Sequence, residues 1–284
     1  MPEAAAATLR DLLHEARGVL ARAGIADPAT EAVRLWSGLW RTSPGAAYLA
    51  SGEPVADPAR DAFLAAVRRR AAGEPLAYVT GWTGFRRLVI RTDRRALIPR
   101  PETEGVVDLL LARQPGGRVA DIGTGTGCLA LALADEGRYA EIHAVDLSAD
   151  ALALAAENGR ALGFAVRWHQ GDLVAPVAGL ELDALVSNPP YLTVAEHAAL
   201  DPAVAAWEPA LALASGADGL DHVRRLAAEA RSALRPGGWM VLEIDSQRAA
   251  ESAALVRHFG WTAVEVHQDL FGRDRYLTAR RSEA

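Results

Sequence analysis

Apolar residues recur at helical spacing from Thr8 to about Ala72 and in short alternating runs after Gly73, which predicts two differently built parts. In the first part Leu12, Leu13, Val19 and Leu20 repeat at helical intervals, and Gly24 supplies a stop. Asp27, Pro28 and Glu31 read as an N-terminal cap with proline in the first turn, leading into Val33, Leu35, Trp36 and Leu39. A third helix is expected from about Pro58 through Phe63, Leu64 and Val67 to Arg70, with Gly73 ending it. Residues 1–73 are thus expected to form a small helical domain, and with no cofactor motif in them they are assigned to substrate docking. Residues 74–98 carry Gly81, Gly84 and Leu88-Val89-Ile90 and read as a linking β-hairpin.

From residue 99 to 284 short apolar strands alternate with helices. Strands are expected at Arg118–Ile122, Ile142–Val145, Val166–His169, Leu182–Ser187 and Trp239–Ile244, and near Thr262–Val266 and Arg275–Ala279. Helices are expected at Leu129–Ala134, Ala149–Leu162, Asp221–Leu234 and Ala249–Phe259, while Asp201-Pro202 reads as a loop or cap. Such alternation predicts an α/β fold whose parallel sheet is covered by helices on both faces.

Composition narrows the functional classes. Half of the 284 residues are hydrophobic, enough for a sizeable core, and the length suits two domains or one with a large extension. With 30 Lys plus Arg against 36 Asp plus Glu, the net charge of −6 argues against a protein that grips nucleic acid mainly through phosphates. Cys128 is the only cysteine, so neither an intramolecular disulfide nor a cysteine-built zinc site can form, and the 7 His lack ligand spacing. No basic cluster followed by a long apolar run opens the chain and no stretch reaches membrane-span length, so a cytoplasmic protein needing no metal is expected.

Three motifs carry the chemistry. Asp121-Ile122-Gly123-Thr124-Gly125-Thr126-Gly127-Cys128 lies between an expected strand and an expected helix, where glycines let the backbone come close to a ligand. Its glycines alternate, unlike the dinucleotide pattern, which suits a ligand without a pyrophosphate: S-adenosylmethionine, with its ribose and charged amino-acid end. A tight turn without a ligand is the competing reading. Asp146, at the end of the next strand, can accept hydrogen bonds from both ribose hydroxyls or cap the following helix beside Ser148, and both can hold. Asp172, followed by Leu173, can reach an adenine amino group or serve as an ordinary turn aspartate. The third motif, Asn188-Pro189-Pro190-Tyr191, directly follows a strand. Its prolines fix the backbone, so the Asn188 side-chain carbonyl and the Pro189 carbonyl can accept both hydrogens of a planar –NH2 group, with Tyr191 stacking on the flat acceptor. An amide nitrogen is weakly nucleophilic, and gripping both N–H bonds orients it and favours charge development without a strong base.

On these motifs the chain resembles the HemK/PrmC family of protein-(glutamine-N5) methyltransferases. The likeness includes Gly73-Glu74-Pro75 with Ala77-Tyr78, and Leu97-Ile98-Pro99-Arg100-Pro101-Glu102-Thr103-Glu104. It extends through Trp207-Glu208-Pro209 and Leu242-Glu243-Ile244 to Gly272-Arg273-Asp274-Arg275. The resemblance implies a class I (Rossmann-like) methyltransferase domain with a five-helix N-terminal domain. It also implies methyl transfer to the glutamine of the Gly-Gly-Gln motif in peptide-chain release factors, by a monomer that binds no nucleic acid directly. Gly123 to Gly127, Asp146, Asp172, Leu173 and Asn188 would then hold the cofactor, and Asn188 to Tyr191 the glutamine, with Asn188 and Pro189 at the chemistry. Leu173 and Asp245 depart from the family pattern, standing where relatives often carry an aromatic residue and glycine. The alternative substrates are other planar amino or amide groups: a ribosomal-protein glutamine, or adenine N6 in DNA or RNA, the last requiring a flipped base. Arg68-Arg69-Arg70 is expected to be a solvated helix end, and Trp36 and Trp40 core residues.

Overall fold

The computed structural model describes residues 7–200 and 206–283, so the reading of Asp201-Pro202 lies outside the described residues. The chain divides into two compact units, Met1–Trp82 and Thr83–Ala284.

Among the described residues, the first unit consists of helices α1 (Leu9–Arg22), α2 (Pro28–Trp40), α3 (Pro44–Leu49), α4 (Asp57–Ala71) and α5 (Leu76–Thr80). Thr8 and Asp11 close a reciprocal capping box on α1, and Asp27 caps α2 with Pro28 in its first turn. Leu12, Leu20, Leu35, Phe63 and Val67 form the core, with Trp36 edge-on to Phe63 at 5.3 Å. Trp40 meets Trp36 at a tilt, with ring centroids 5.0 Å apart, but is 38% exposed, so only Trp36 is a core residue. The basic run at the end of α4 is not a solvated end throughout. Arg69 grips Glu74 through two hydrogen bonds of 2.6 and 2.8 Å, and Arg70 reaches back to Glu31 at 2.5 Å. These ion pairs tie α4 to its exit and to α2.

The second unit opens with a hairpin, β1 (Trp82–Phe85) and β2 (Leu88–Arg91). The hairpin is narrower than residues 74–98, because Leu76–Thr80 is helical and the chain beyond Arg91 leaves the ladder and turns at Arg94 and Arg95. The main sheet contains β3 (Gly116–Ile122), β4 (Arg138–Asp146), β5 (Arg167–Gln170), β6 (Leu182–Ser187), β7 (Leu234–Glu243), β8 (Thr262–Gln268) and β9 (Asp274–Arg280). Their spatial order is β5-β4-β3-β6-β7-β9-β8, parallel except for β9, which runs antiparallel between β7 and β8. Among the described residues its α-helices are α6 (Glu104–Arg113), α7 (Cys128–Glu136), α8 (Ala149–Leu162), α9 (Val194–Ala198), α10 (Asp221–Glu229) and α11 (Ala249–His258).

Successive strand residues point to opposite faces, so each strand feeds two cores. Ala120, Leu185 and Met240 pack with Leu226 of α10 and Val256 of α11; Val119, Val186 and Val241 pack with Leu110 of α6 and Leu131 of α7. This is the covered parallel sheet expected of a Rossmann-like domain. Strand order reverses at β3, which pairs with β4 on one side and β6 on the other. A crevice therefore opens beyond the carboxyl ends of these strands, where ligands bind in open α/β sheets.

Candidate active site

Three strand ends build one cavity in that crevice. Gly123 and Gly125 follow β3, Asp146 ends β4, and Asn188 and Pro189 follow β6; all five line the cavity. The strand ends are held in register by Ser187, whose hydroxyl donates to the Ile122 carbonyl at 2.6 Å.

The glycine loop needs its glycines. Gly123, Gly125 and Gly127 have φ of +71°, +55° and +84°, a region that side-chain-bearing residues rarely adopt. A Cβ at Gly123 would meet nothing within 4 Å, and one at Gly125 only Ala96 at 3.9 Å. Their faces are therefore open floor, whereas a Cβ at Gly127 would press on Ala155 and Trp168 at 3.2 and 3.3 Å. Gly127 serves packing, and like Thr124 and Thr126 it lies behind the cavity wall. The loop is pinned from outside by buried Asn158 on α8, whose amide nitrogen donates to the carbonyls of Thr126 and Arg91 at 2.9 and 3.0 Å.

Asp146 holds the loop from the β4 side. One carboxylate oxygen accepts from the Gly125 N–H at 2.8 Å and the other from the Ser148 N–H at 2.9 Å. Ser148 itself caps α8, so Asp146 is not the cap. Burial raises the Asp146 pKa, while the N–H donors of Ser148 and Gly125 pull it down. Each oxygen keeps further lone-pair capacity towards the cavity.

Asp172 and Leu173 also line the cavity, but Asp172 is engaged elsewhere. Arg225 on α10 takes both its oxygens, at 2.8 and 3.0 Å, and the guanidinium holds the carboxyl below the usual carboxylate range. Leu173 sits at φ +46° and packs on the core. The other departure from the family pattern needs no glycine: Asp245, at φ −68°, accepts from the Gln247 N–H and pairs with Arg248.

At the β6 end the Asn188 amide nitrogen donates to the Thr103 hydroxyl at 3.0 Å, and that hydroxyl donates to Glu243 at 2.7 Å. Among the described residues none donates to the Asn188 side-chain oxygen or to the Pro189 carbonyl. Pro190 lines the cavity, whereas Tyr191 does not; it is largely buried near Glu243, Arg275 and Arg100, and burial pushes its phenol up to about 12. The cavity's far wall comes from Pro209, Leu211 and Ala212. That segment is clamped by Arg94 over the Trp207 ring at 3.8 Å and by Arg100 on Glu208 at 2.6 and 2.8 Å.

The sequence reading missed Thr103, Glu243 and the clamp as parts of the site. Cys128 is a buried thiol pushed up to about 12 by its burial, and so is unreactive at neutral pH. His143 and His169 face each other at 3.0 Å, but among the described residues no group of three metal-ligating side chains occurs.

Buried Asp121 accepts from the Thr124 hydroxyl and the Ala130 N–H, while its second oxygen has no partner. Burial, above all, pushes this carboxyl from 3.8 up to about 7. A pKa raised on folding means the folded state holds the proton more tightly, so the group's contribution to stability falls as pH rises from about 4 to about 7. Asp121→Asn should therefore gain stability relative to the wild type across that interval. Parallel melting curves check this: a difference in Tm that is flat with pH removes the buried-carboxyl account.

Known proteins share this architecture and sequence. Residues 103–206 match the Methyltransferase small domain and residues 11–81 the PrmC N-terminal domain. A solved methyltransferase from Pyrococcus furiosus superposes with a TM-score of 0.53 at 18% identity, covering 68% of this chain and 88% of that one; it shares the fold. The release factor glutamine methyltransferase of Deinococcus radiodurans is 44% identical over 280 residues, 96% of this chain and 99% of that protein. That of Cereibacter sphaeroides is 43% identical over 272 residues, 95% and 97% of the two chains. At such identity over nearly the full length of both partners, this chain belongs to the release factor glutamine methyltransferase family.

Proposed function

We propose that the protein transfers a methyl group from S-adenosylmethionine to the side-chain amide nitrogen of a glutamine, the one in the Gly-Gly-Gln motif of peptide-chain release factors. The observation that carries this reading is the pair of unclaimed acceptors at the β6 end, the Asn188 side-chain oxygen and the Pro189 carbonyl. A primary amide offers two coplanar N–H donors, which such a pair can take together.

The residues present fit the cofactor. The open floor at Gly123 and Gly125 admits a close-lying ligand, Asp146 offers lone pairs for ribose hydroxyls, and Ile122, Leu147, Leu173 and Leu211 supply apolar walls. When bound, S-adenosylmethionine supplies a methyl group made electrophilic by its sulfonium. The protein's part is placement and electrostatics. Asn188 and Pro189 hold the amide nitrogen with its lone-pair face towards the methyl carbon and stabilise the positive charge that develops on the N–H groups. Pro189, Pro190, Pro209, Leu211 and Ala212 add apolar lining to the same cavity. No side chain has to act as a strong base, since the methylated amide nitrogen loses its proton to solvent.

Incubation with labelled cofactor and a purified release factor, followed by mass-spectrometric mapping, tests the reading. Label on the Gly-Gly-Gln glutamine is expected; a release factor left unlabelled, or labelled only at other residues, would overturn it.

The helical unit up to Trp82 is assigned to holding the protein substrate, because every residue of the cavity comes from the second unit. A chain beginning at Gly81 should keep cofactor affinity and lose methylation of the intact release factor. Loss of cofactor binding by that chain while still folded, as measured by calorimetry and circular dichroism, contradicts the assignment.

A further inference from the structure

The Asn188 carboxamide has two nearly isosteric orientations, and only one of them presents an acceptor to the substrate. Whatever fixes that choice is part of the catalytic apparatus, even without touching a reactant. The relevant contacts lie behind the cavity wall. Thr103 and Glu243 are 3% and 1% exposed, and neither lines the cavity. A hydroxyl has one hydrogen. The Thr103 hydrogen goes to Glu243 at 2.7 Å, so towards Asn188 the hydroxyl presents only lone pairs. The group standing 3.0 Å away must then be the –NH2 of Asn188, because a carbonyl oxygen there would face another acceptor. The carboxamide oxygen is thereby turned the other way.

We propose that Thr103 and Glu243 are positioning residues: a buried carboxylate–hydroxyl relay that locks the Asn188 carboxamide with its oxygen facing the substrate amide.

The turn that carries Thr103 is itself held. Tyr276 of β9 donates to the Glu102 carbonyl at 2.6 Å, and its ring lies where a Cβ on Gly105 would come within 2.4 Å of the phenol oxygen. Glycine at 105 is thus what lets the tyrosine ring close on the turn. Around Glu243 stand Arg275 of β9, Arg100 and Glu102 of the turn, and the phenols of Tyr191 and Tyr276. Burial raises its carboxyl to about 7, so at pH 8 both oxygens act as acceptors and the direction of the relay is fixed.

The inference rests on the role given to Asn188 above, and its test reads the relay separately from the reaction. Thr103→Val keeps the shape and removes the hydroxyl; Thr103→Ser keeps the hydroxyl and removes the methyl. At pH 8 the valine variant should lose on the order of 10- to 100-fold in the single-turnover rate, with KM for the cofactor changed by no more than about threefold, as befits misplacement of a reacting group. The serine variant should stay within about fivefold of wild type, since the orienting hydrogen bond survives. A valine variant with the wild-type rate, or a serine variant as slow as valine, overturns the proposal.

The second readout needs no turnover. In the 15N-labelled wild type, the Asn188 side-chain amide signals are identified by their loss in Asn188→Asp. One of the two protons should exchange slowly with solvent, and that protection should vanish in Thr103→Val. Equal, fast exchange of both protons in the wild type defeats the relay, and does so even where the valine variant fails to fold. A wild type that leaves the release factor unmethylated yet shows the protected proton retains the relay and removes only the functional reading.

Discussion

Asn188→Ala is expected to slow methyl transfer by about 100- to 1,000-fold, the usual cost of removing one preorganised hydrogen-bonding group from a reacting centre. The lone pair of an amide nitrogen is delocalised into its carbonyl, so the transition state gathers positive charge on the –NH2 group. An acceptor fixed in place beforehand stabilises that charge without reorganising at the moment of reaction, and in a half-buried cavity it does so against little competition from water. Asn188 supplies one of two such acceptors; the other, the Pro189 carbonyl, survives substitution because it belongs to the backbone. The loss should fall on the chemical step, and cofactor affinity should change far less. Asn188→Asp keeps the shape and an acceptor and adds a charge that attracts the sulfonium and distorts its approach, so partial activity is expected. Single-turnover methylation paired with calorimetric cofactor binding separates these effects, and near-normal turnover by the alanine variant would sink the mechanism.

Asp146→Ala should weaken cofactor binding by roughly 1–3 kcal/mol, about 5- to 150-fold, the range for a lost charge-assisted hydrogen-bonding partner. Two effects combine. The carboxylate no longer faces the ribose, and the Gly125 and Ser148 N–H groups that it held at 2.8 and 2.9 Å lose their acceptor, loosening the loop and the start of α8. Asp146→Asn offers little rescue. Both oxygens accept from N–H groups, so an amide must set its own –NH2 against one of those donors. Asp172→Ala should cost less, because its carboxylate is already held by Arg225. Isothermal titration of the three variants checks the ranking, and unchanged affinity in Asp146→Ala removes that residue from the site.

What could be read from the chain depended on whether a feature was local. The helix expected at Ala149–Leu162 and the strand expected at Leu182–Ser187 have those limits in the structure, because their apolar periods are long and their ends are marked by Ser148 and Gly163 and by Asn188-Pro189. The short helices α3 and α5 escaped, having six and five residues and no room to establish a period. Helix α6 was hidden by its almost continuously apolar stretch, which does not distinguish helix from strand. Helix α10 stops at Glu229, before the expected Leu234, since Ala230–Ser232 tightens into a 3₁₀ turn and Leu234 already begins β7. The site divides in the same way. The glycine loop and Asn188-Pro189-Pro190-Tyr191 are contiguous and announce their chemistry. The relay joins residues 140 positions apart and the Arg100–Glu208 clamp residues 108 apart, and no spacing rule connects them.

The position of β9 has a consequence for how the protein is made. β7 and β8 are synthesised before β9, yet neither pairs with the other; β9 lies between them. Until residues 274–280 leave the ribosome, both strands present open edges, and the apolar side chains of β7 remain partly uncovered, a state that invites pairing with other chains. Tyr276 arrives on the same strand, and it is the residue that fastens the turn bearing Thr103. Every residue that faces the cavity has been translated by then, but the orientation of Asn188 waits for β9. Assembly of the sheet and alignment of the reacting group are thus completed by one late event, so a nascent chain becomes an enzyme only once β9 has filled the gap between β7 and β8.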